Sequence, residues 1–114
     1  MNEFLLVFRM DITTPEDQPT PEQMEIYMKQ WDDWTSGILQ KGRLVGGNHL
    51  SVEGRVLKPN NEIINSPYTE NKKSIAGYII ICVESFDEAV DIAKACPILF
   101  GDGTSVEIRE IARS

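Results

Sequence analysis

The sequence predicts an α+β domain of the split β-α-β type, and three observations carry that prediction. Runs rich in apolar and β-branched residues mark strands near both ends of the chain and in its middle. Two capping sequences, Thr20-Pro21-Glu22-Gln23 and Ser85-Phe86-Asp87-Glu88, each open a stretch with apolar residues at helical spacing. Between the halves, from Ser51 to Ser74, lie short β-like pieces broken by turn residues. A chain of 114 residues with 41% hydrophobic content fits one domain, spanning 1–114, that buries roughly 60–70% of its unfolded surface.

The first strand, Glu3 to Met10, carries Phe4, Leu6 and Phe8 on one face and Leu5, Val7 and Arg9 on the other. After the loop "DITTPEDQP", Thr20 is the N-cap, Pro21 the first helical residue and Gln23 the residue that reaches back to the cap. The helix that follows runs about five turns. Its packed stripe reads Met24, Met28, Trp31, Trp34 or Thr35, and Ile38, and Gly42 terminates it. "RLVGGNHL" is a second strand, in which Gly46 and Gly47 mark a bulge or a close backbone approach. The pieces "RVL" and "EII" form an inserted hairpin, longer than a simple connector needs. "IAGYIIICV" is a strand apolar on both faces. Ser85 caps a second helix packed through Phe86, Ala89, Val90, Ala93 and Cys96 and ended by Pro97. After the turn "GDG", "TSVEIREI" alternates as a last strand.

This order is that of a ferredoxin-like fold with an inserted hairpin, and right-handed crossovers place both helices on one face of the sheet. The strands around Leu5 to Arg9 and Ala76 to Val83 are nevertheless apolar on both faces. A second copy packed sheet to sheet about a two-fold axis is the simplest cover.

Composition excludes several functions. A formal net charge of −7 repels a nucleic-acid backbone and an anionic membrane surface. The N-terminal "MNEFLLVFRM" has an acidic residue where a secretory segment needs basic ones, and its apolar run is too short to span a bilayer. Cys82 and Cys96 read as reduced, buried thiols of a cytoplasmic protein. A single histidine, His49, and scattered carboxylates leave too few clustered ligands for a metal site, and "VGGNHL" enters a strand rather than a helix, so no phosphate loop or other cofactor site is expected.

Taken together and in order, "FLLVFRMD", "YMKQWDDW", "GRLVGGNHLSVEGRVL", "NSPYTENKK", "GYIIICVESFDEAVDIAKACP" and "SVEIREI" resemble the YCII-related family, in the branch whose signature is Asp-Gly-Pro-Phe. The resemblance implies a dimeric α+β barrel whose two sheets enclose a cavity. It implies little about activity, since most of that family has none assigned and related barrels include isomerases, lyases and monooxygenases. In place of the signature stand Asn65, Ser66, Pro67 and Tyr68, so residue 65 has no proton to exchange near neutral pH. Enzyme-like relatives pair a histidine of the first helix with an aspartate before the proline ending the second. Those slots hold Trp31 and Cys96 here, both read as core packing, which counts against an enzyme.

His49 and Glu70 are the residues able to transfer a proton, His49 because an imidazole titrates near physiological pH. Arg9 shares a strand face with Leu5 and Val7; if that face points into a barrel it needs an anionic partner, either a ligand carboxylate or an acid such as Asp11, Glu107 or a glutamate of a second copy, and at the strand end it can equally reach solvent. The "NSPY" turn presents Tyr68, Glu70, Lys72 and Lys73 at a cavity rim. Arg9, Trp31, His49, Tyr68 and Tyr78 form the expected ligand-binding set. The leading expectation is a homodimer holding a small molecule. The alternatives are a cofactor-independent lyase or isomerase acting on a small anionic substrate, and an interaction module docking a basic partner on Asp32 and Asp33.

Overall fold

The computed structural model describes residues 1–12, 14 and 18–112. Part of the loop read over 11–19, namely 13 and 15–17, lies outside them. Eight elements follow in the expected order: β1 (Asn2–Asp11), α1 (Pro21–Gln40), β2 (Leu44–His49), β3 (Val56–Lys58), β4 (Glu62–Ile64), β5 (Lys73–Val83), α2 (Phe86–Ala93) and β6 (Ser105–Glu110). The sheet order β2-β5-β1-β6, with every neighbour antiparallel, is consistent with a ferredoxin-like fold, and β3 and β4 pair separately as the inserted hairpin.

Alternation in β1 and β5 decides where the core sits. Register pairs Phe4 with Ile81 and Leu6 with Ile79, so these side chains share the face that α1 and α2 cover. Trp31, Ile38, Ala89 and Ala93 close that core from the helices. On the opposite face Leu5 pairs with Ile80 and Val7 with Tyr78. Leu5, Tyr78 and Ile80 remain only half-buried there.

Local chemistry explains the helix ends. The Gln23 N–H donates to Thr20 Oγ1 at 3.2 Å and the Thr20 N–H donates to Gln23 Oε1 at 2.9 Å, completing the capping box. At the other end Gly42 takes φ +71°, its N–H donates to the Leu39 carbonyl at 2.9 Å, and the Arg43 N–H donates to the Ile38 carbonyl at 3.1 Å. That pair of bonds is the Schellman closure a glycine permits.

Four details differ from the sequence reading. The buried stripe of α1 runs through Tyr27, Trp31, Trp34 and Ile38, while Met24 is exposed. Helix α2 stops at Ala93, and Cys96 instead precedes a 3-10 turn, Pro97–Phe100, that begins with the proline expected only to end the helix. The Glu88 N–H donates to Ser85 Oγ at 3.2 Å as the cap reading expects, but the Glu88 carboxylate accepts from the Glu84 N–H at 3.0 Å instead of from Ser85, so only half of the second capping box forms. Cys82 sits opposite Glu3 on the open face and is half-buried, whereas Cys96 is fully buried.

Two bulges shape the sheet. One falls between Leu44 and Gly46, leaving Val45 unpaired. The other falls where Phe8 pairs with Gly77 but Arg9 with Ile75, so Ala76 is the extra residue and the start of β5 changes its alternation.

Candidate functional site

A concavity of about 600 Å³ opens between the end of the sheet and the base of the hairpin. Arg9, Lys73 and Ile75 line it from the sheet, and Arg55, Tyr68 and Glu70 from the insertion. The hairpin base is fixed at three points. Gly54 lies so close to Pro67 that a Cβ there would be 3.1 Å from the proline Cβ. Arg55 Nε donates to Asn65 Oδ1 at 3.2 Å, and the Ser74 hydroxyl donates to the Tyr68 carbonyl. Glu70 and Lys73 exchange both backbone bonds, at 2.9 and 3.0 Å, around Asn71 and Lys72 with φ +52° and +66°. Those values are those of a hairpin turn that follows strand twist, adopted here without glycine.

The three cations of the concavity stand in different environments. Arg9 Nη1 is 2.5 Å from Glu107 Oε1, and Arg109 reaches the same carboxylate at 3.4 Å. The hydrogen bond and charge of Arg9, with Arg109 behind it, hold the Glu107 carboxyl below the usual carboxylate range. Glu107 is thus the internal partner that the sequence left open among three. The Lys73 ammonium rests over Gly103, where a Cβ would lie 2.8 Å from Nζ. Arg55 has no ion pair among the described residues. Glu53 and Glu70 add carboxylates to the same wall.

A second recess of about 270 Å³ lies along β2, on the helix side of the sheet, lined by Phe8, Trp31, Gly47 and His49 among others, and Tyr78 borders it although the register puts its side chain on the opposite face. The structure therefore divides the expected set. Arg9, Tyr68 and Glu70 share the first concavity; Trp31, His49 and Tyr78 share the second. His49 packs edge-on against Trp31 with ring centroids 5.3 Å apart. Tyr68 stands at the mouth of the first concavity, 68% exposed.

Trp31 and Cys96 belong to one core cluster. Burial pushes the Cys96 thiol up to about 12, so it stays protonated throughout the neutral range. Native protein at pH 8 is expected to react with a thiol reagent at Cys82 and not at Cys96; equal labelling of both would contradict the packing role. Asp33 is held by Lys29 at 3.1 Å across one helical turn. No group of three or more His, Cys, Asp or Glu among the described residues is placed to hold a metal ion, and no described helix is long and apolar enough to cross a membrane.

The element order, the antiparallel four-stranded sheet and the long insertion are now fixed, and a scan against protein families matches residues 7–112 to the YCII-related domain. The chain belongs to the YCII-related family. Comparison with curated proteins gives no match. Within this YCII-related chain, sequence reasoning missed Arg55, which hides in a short β-like piece. The signal available was only that "EGRV" and "NSP" flank the same hairpin.

Proposed function

We infer that this YCII-related protein is a homodimer that binds a small carboxylate-bearing molecule in the concavity at the hairpin base. The observation that carries the reading is the gathering of Arg9, Arg55 and Lys73 around a 600 Å³ opening in a chain of net charge −7. Tyr68 and Ile75 beside them offer apolar area to the rest of the ligand. The family match and the residues of the turn support placement in the Asp-Gly-Pro-Phe branch, with Asn65-Ser66-Pro67-Tyr68 in place of the signature.

Shape supports the second copy. The radius of gyration is 15.4 Å, against about 13 Å for a compact domain of this length. The hairpin exposes Leu57 by 69% and Ile63 by 56%, and a lone two-stranded hairpin is marginal in water. Packing a second sheet on Leu5, Val7, Tyr78 and Ile80 forms the dimeric α+β barrel and removes this apolar face from solvent. Two thiols without a disulfide accord with a cytoplasmic setting.

Sedimentation at micromolar concentration is expected to give about twice the chain mass, and titration with benzoate as probe to give saturable binding. Tyr68→Ala should weaken that binding about tenfold, roughly 1.4 kcal/mol, and Glu25→Ala should leave it unchanged. A monodisperse monomer or non-saturable benzoate binding would overturn the reading. Glu70 shares the concavity with Arg9, which favours it over His49 as the proton-transfer residue of a lyase or isomerase reading.

A further inference from the structure

We propose that Arg55 is the residue that reads the ligand's carboxylate, and that Asn65 is a positioning residue that orients Arg55 without neutralising it. This rests on the reading of the concavity as a carboxylate site and names the group that confers it.

Arg9, the obvious anchor on a strand face, already has its countercharge, because Glu107 sits 2.5 Å from its Nη1. A ligand carboxylate would have to compete with a carboxylate in place. Lys73 lays its ammonium over the turn at Gly103 and offers a point charge without a planar fork. Arg55 differs from both. Its Nε–H is taken by Asn65 Oδ1 at 3.2 Å, which fixes the plane of the guanidinium. The hydrogen bonds of the structure leave its two Nη groups, the edge that meets a carboxylate end-on through two bonds, without a protein partner among the described residues. The acceptor is an amide, so the full positive charge remains for a ligand.

The backbone behind this pair is held as well. Val56 pairs with Ile64 one residue along, and Gly54 packs on Pro67 one step before, so Arg55 and Asn65 face each other across a closed hairpin base. Arg55 lines the concavity while Asn65 stands behind it.

An isosteric change separates charge from shape. Asn65→Asp keeps the acceptor and its size but supplies a countercharge that competes with the ligand; Asn65→Ala removes the acceptor and adds no charge. Benzoate titration, followed through the Arg55 Nε–H resonance and by calorimetry, is expected to show affinity falling at least tenfold in Asn65→Asp and only a few-fold in Asn65→Ala. Arg55→Lys, which keeps charge and loses the fork, should fall at least tenfold. Inorganic phosphate is titrated in parallel, with weaker binding expected because it has no apolar part to lay on Tyr68.

If Asn65 served only as a hydrogen-bonding strut, the order would reverse, with Asn65→Ala the weaker binder; that result overturns the proposal. So does wild-type affinity in Arg55→Lys combined with loss in Tyr68→Ala, which would leave the carboxylate site standing with a different anchor. Phosphate binding as tight as benzoate would overturn the carboxylate assignment. Absence of saturable binding in the unaltered protein would remove the site itself. These positions are exposed, and dispersion of the amide spectrum verifies the fold of each variant.

Discussion

Gly47→Ala is expected to be among the most damaging single substitutions in this protein, lowering stability by about 2–6 kcal/mol from overpacking and backbone strain combined. Gly47 has φ +149°, a value that L side chains rarely adopt. A Cβ placed there would lie 2.6 Å from Ile79 Cα and 2.8 Å from its Cγ2, and closer still to the Tyr78 carbonyl oxygen. The obstacle is backbone of the paired central strand, since Gly47 is in register with Ile79, so neither side can yield without breaking the ladder. Against a typical total stability of about 5–15 kcal/mol the loss approaches unfolding. Gly46→Ala is the control: nothing lies within 4 Å of its Cβ position. Urea unfolding should show a midpoint near wild type for Gly46→Ala and a collapsed one for Gly47→Ala. Matching midpoints would refute the close-approach argument.

Trp31→Ala is the second large effect, expected to cost about 3–5 kcal/mol. Trp31 is 5% exposed and makes edge contacts with Phe8, His49, Trp34 and Tyr27 at centroid distances of 4.7, 5.3, 5.5 and 5.9 Å. Removing it hollows the junction between α1 and the sheet and leaves His49 without its packing surface. Trp31→Phe should cost less, because a ring remains to meet Phe8 and Trp34. Trp34 is different, since its Nε1 donates to the Ile92 carbonyl at 3.1 Å and ties α1 to α2. The same urea series measures both tryptophans. A Trp31→Ala protein as stable as wild type would mean that this residue is kept for a ligand and not for packing.

The two recesses explain why the expected binding set divides. His49 and Tyr68 were both legible as polar residues near strand ends. Which side of the sheet each occupies depends on register, and the bulge at Val45 intervenes before His49. His49 consequently pairs with Gly77 and joins the helix side, where Trp31 meets it. Arg9 was legible as a cation on the second strand face, beside Leu5 and Val7, in need of an anionic partner. Glu107 could be singled out only once β6 lay beside β1 in the register that pairs Glu107 with Val7.

The sequence by itself determined the element order, the capped start of α1, its glycine-closed end, and the apolar residues on both faces of β1 and β5. Those follow from short-range rules of periodicity, capping and turn chemistry, which act within a few residues of the chain. Tertiary structure alone decided that Tyr27 replaces Met24 in the packed stripe, that β2 and β5 approach at Gly47, and that Arg55 meets Asn65 across the hairpin base. Each of these rests on contacts between segments distant in sequence. Such contacts are set by strand register and by which helix turn overlies the sheet, and no local pattern encodes either.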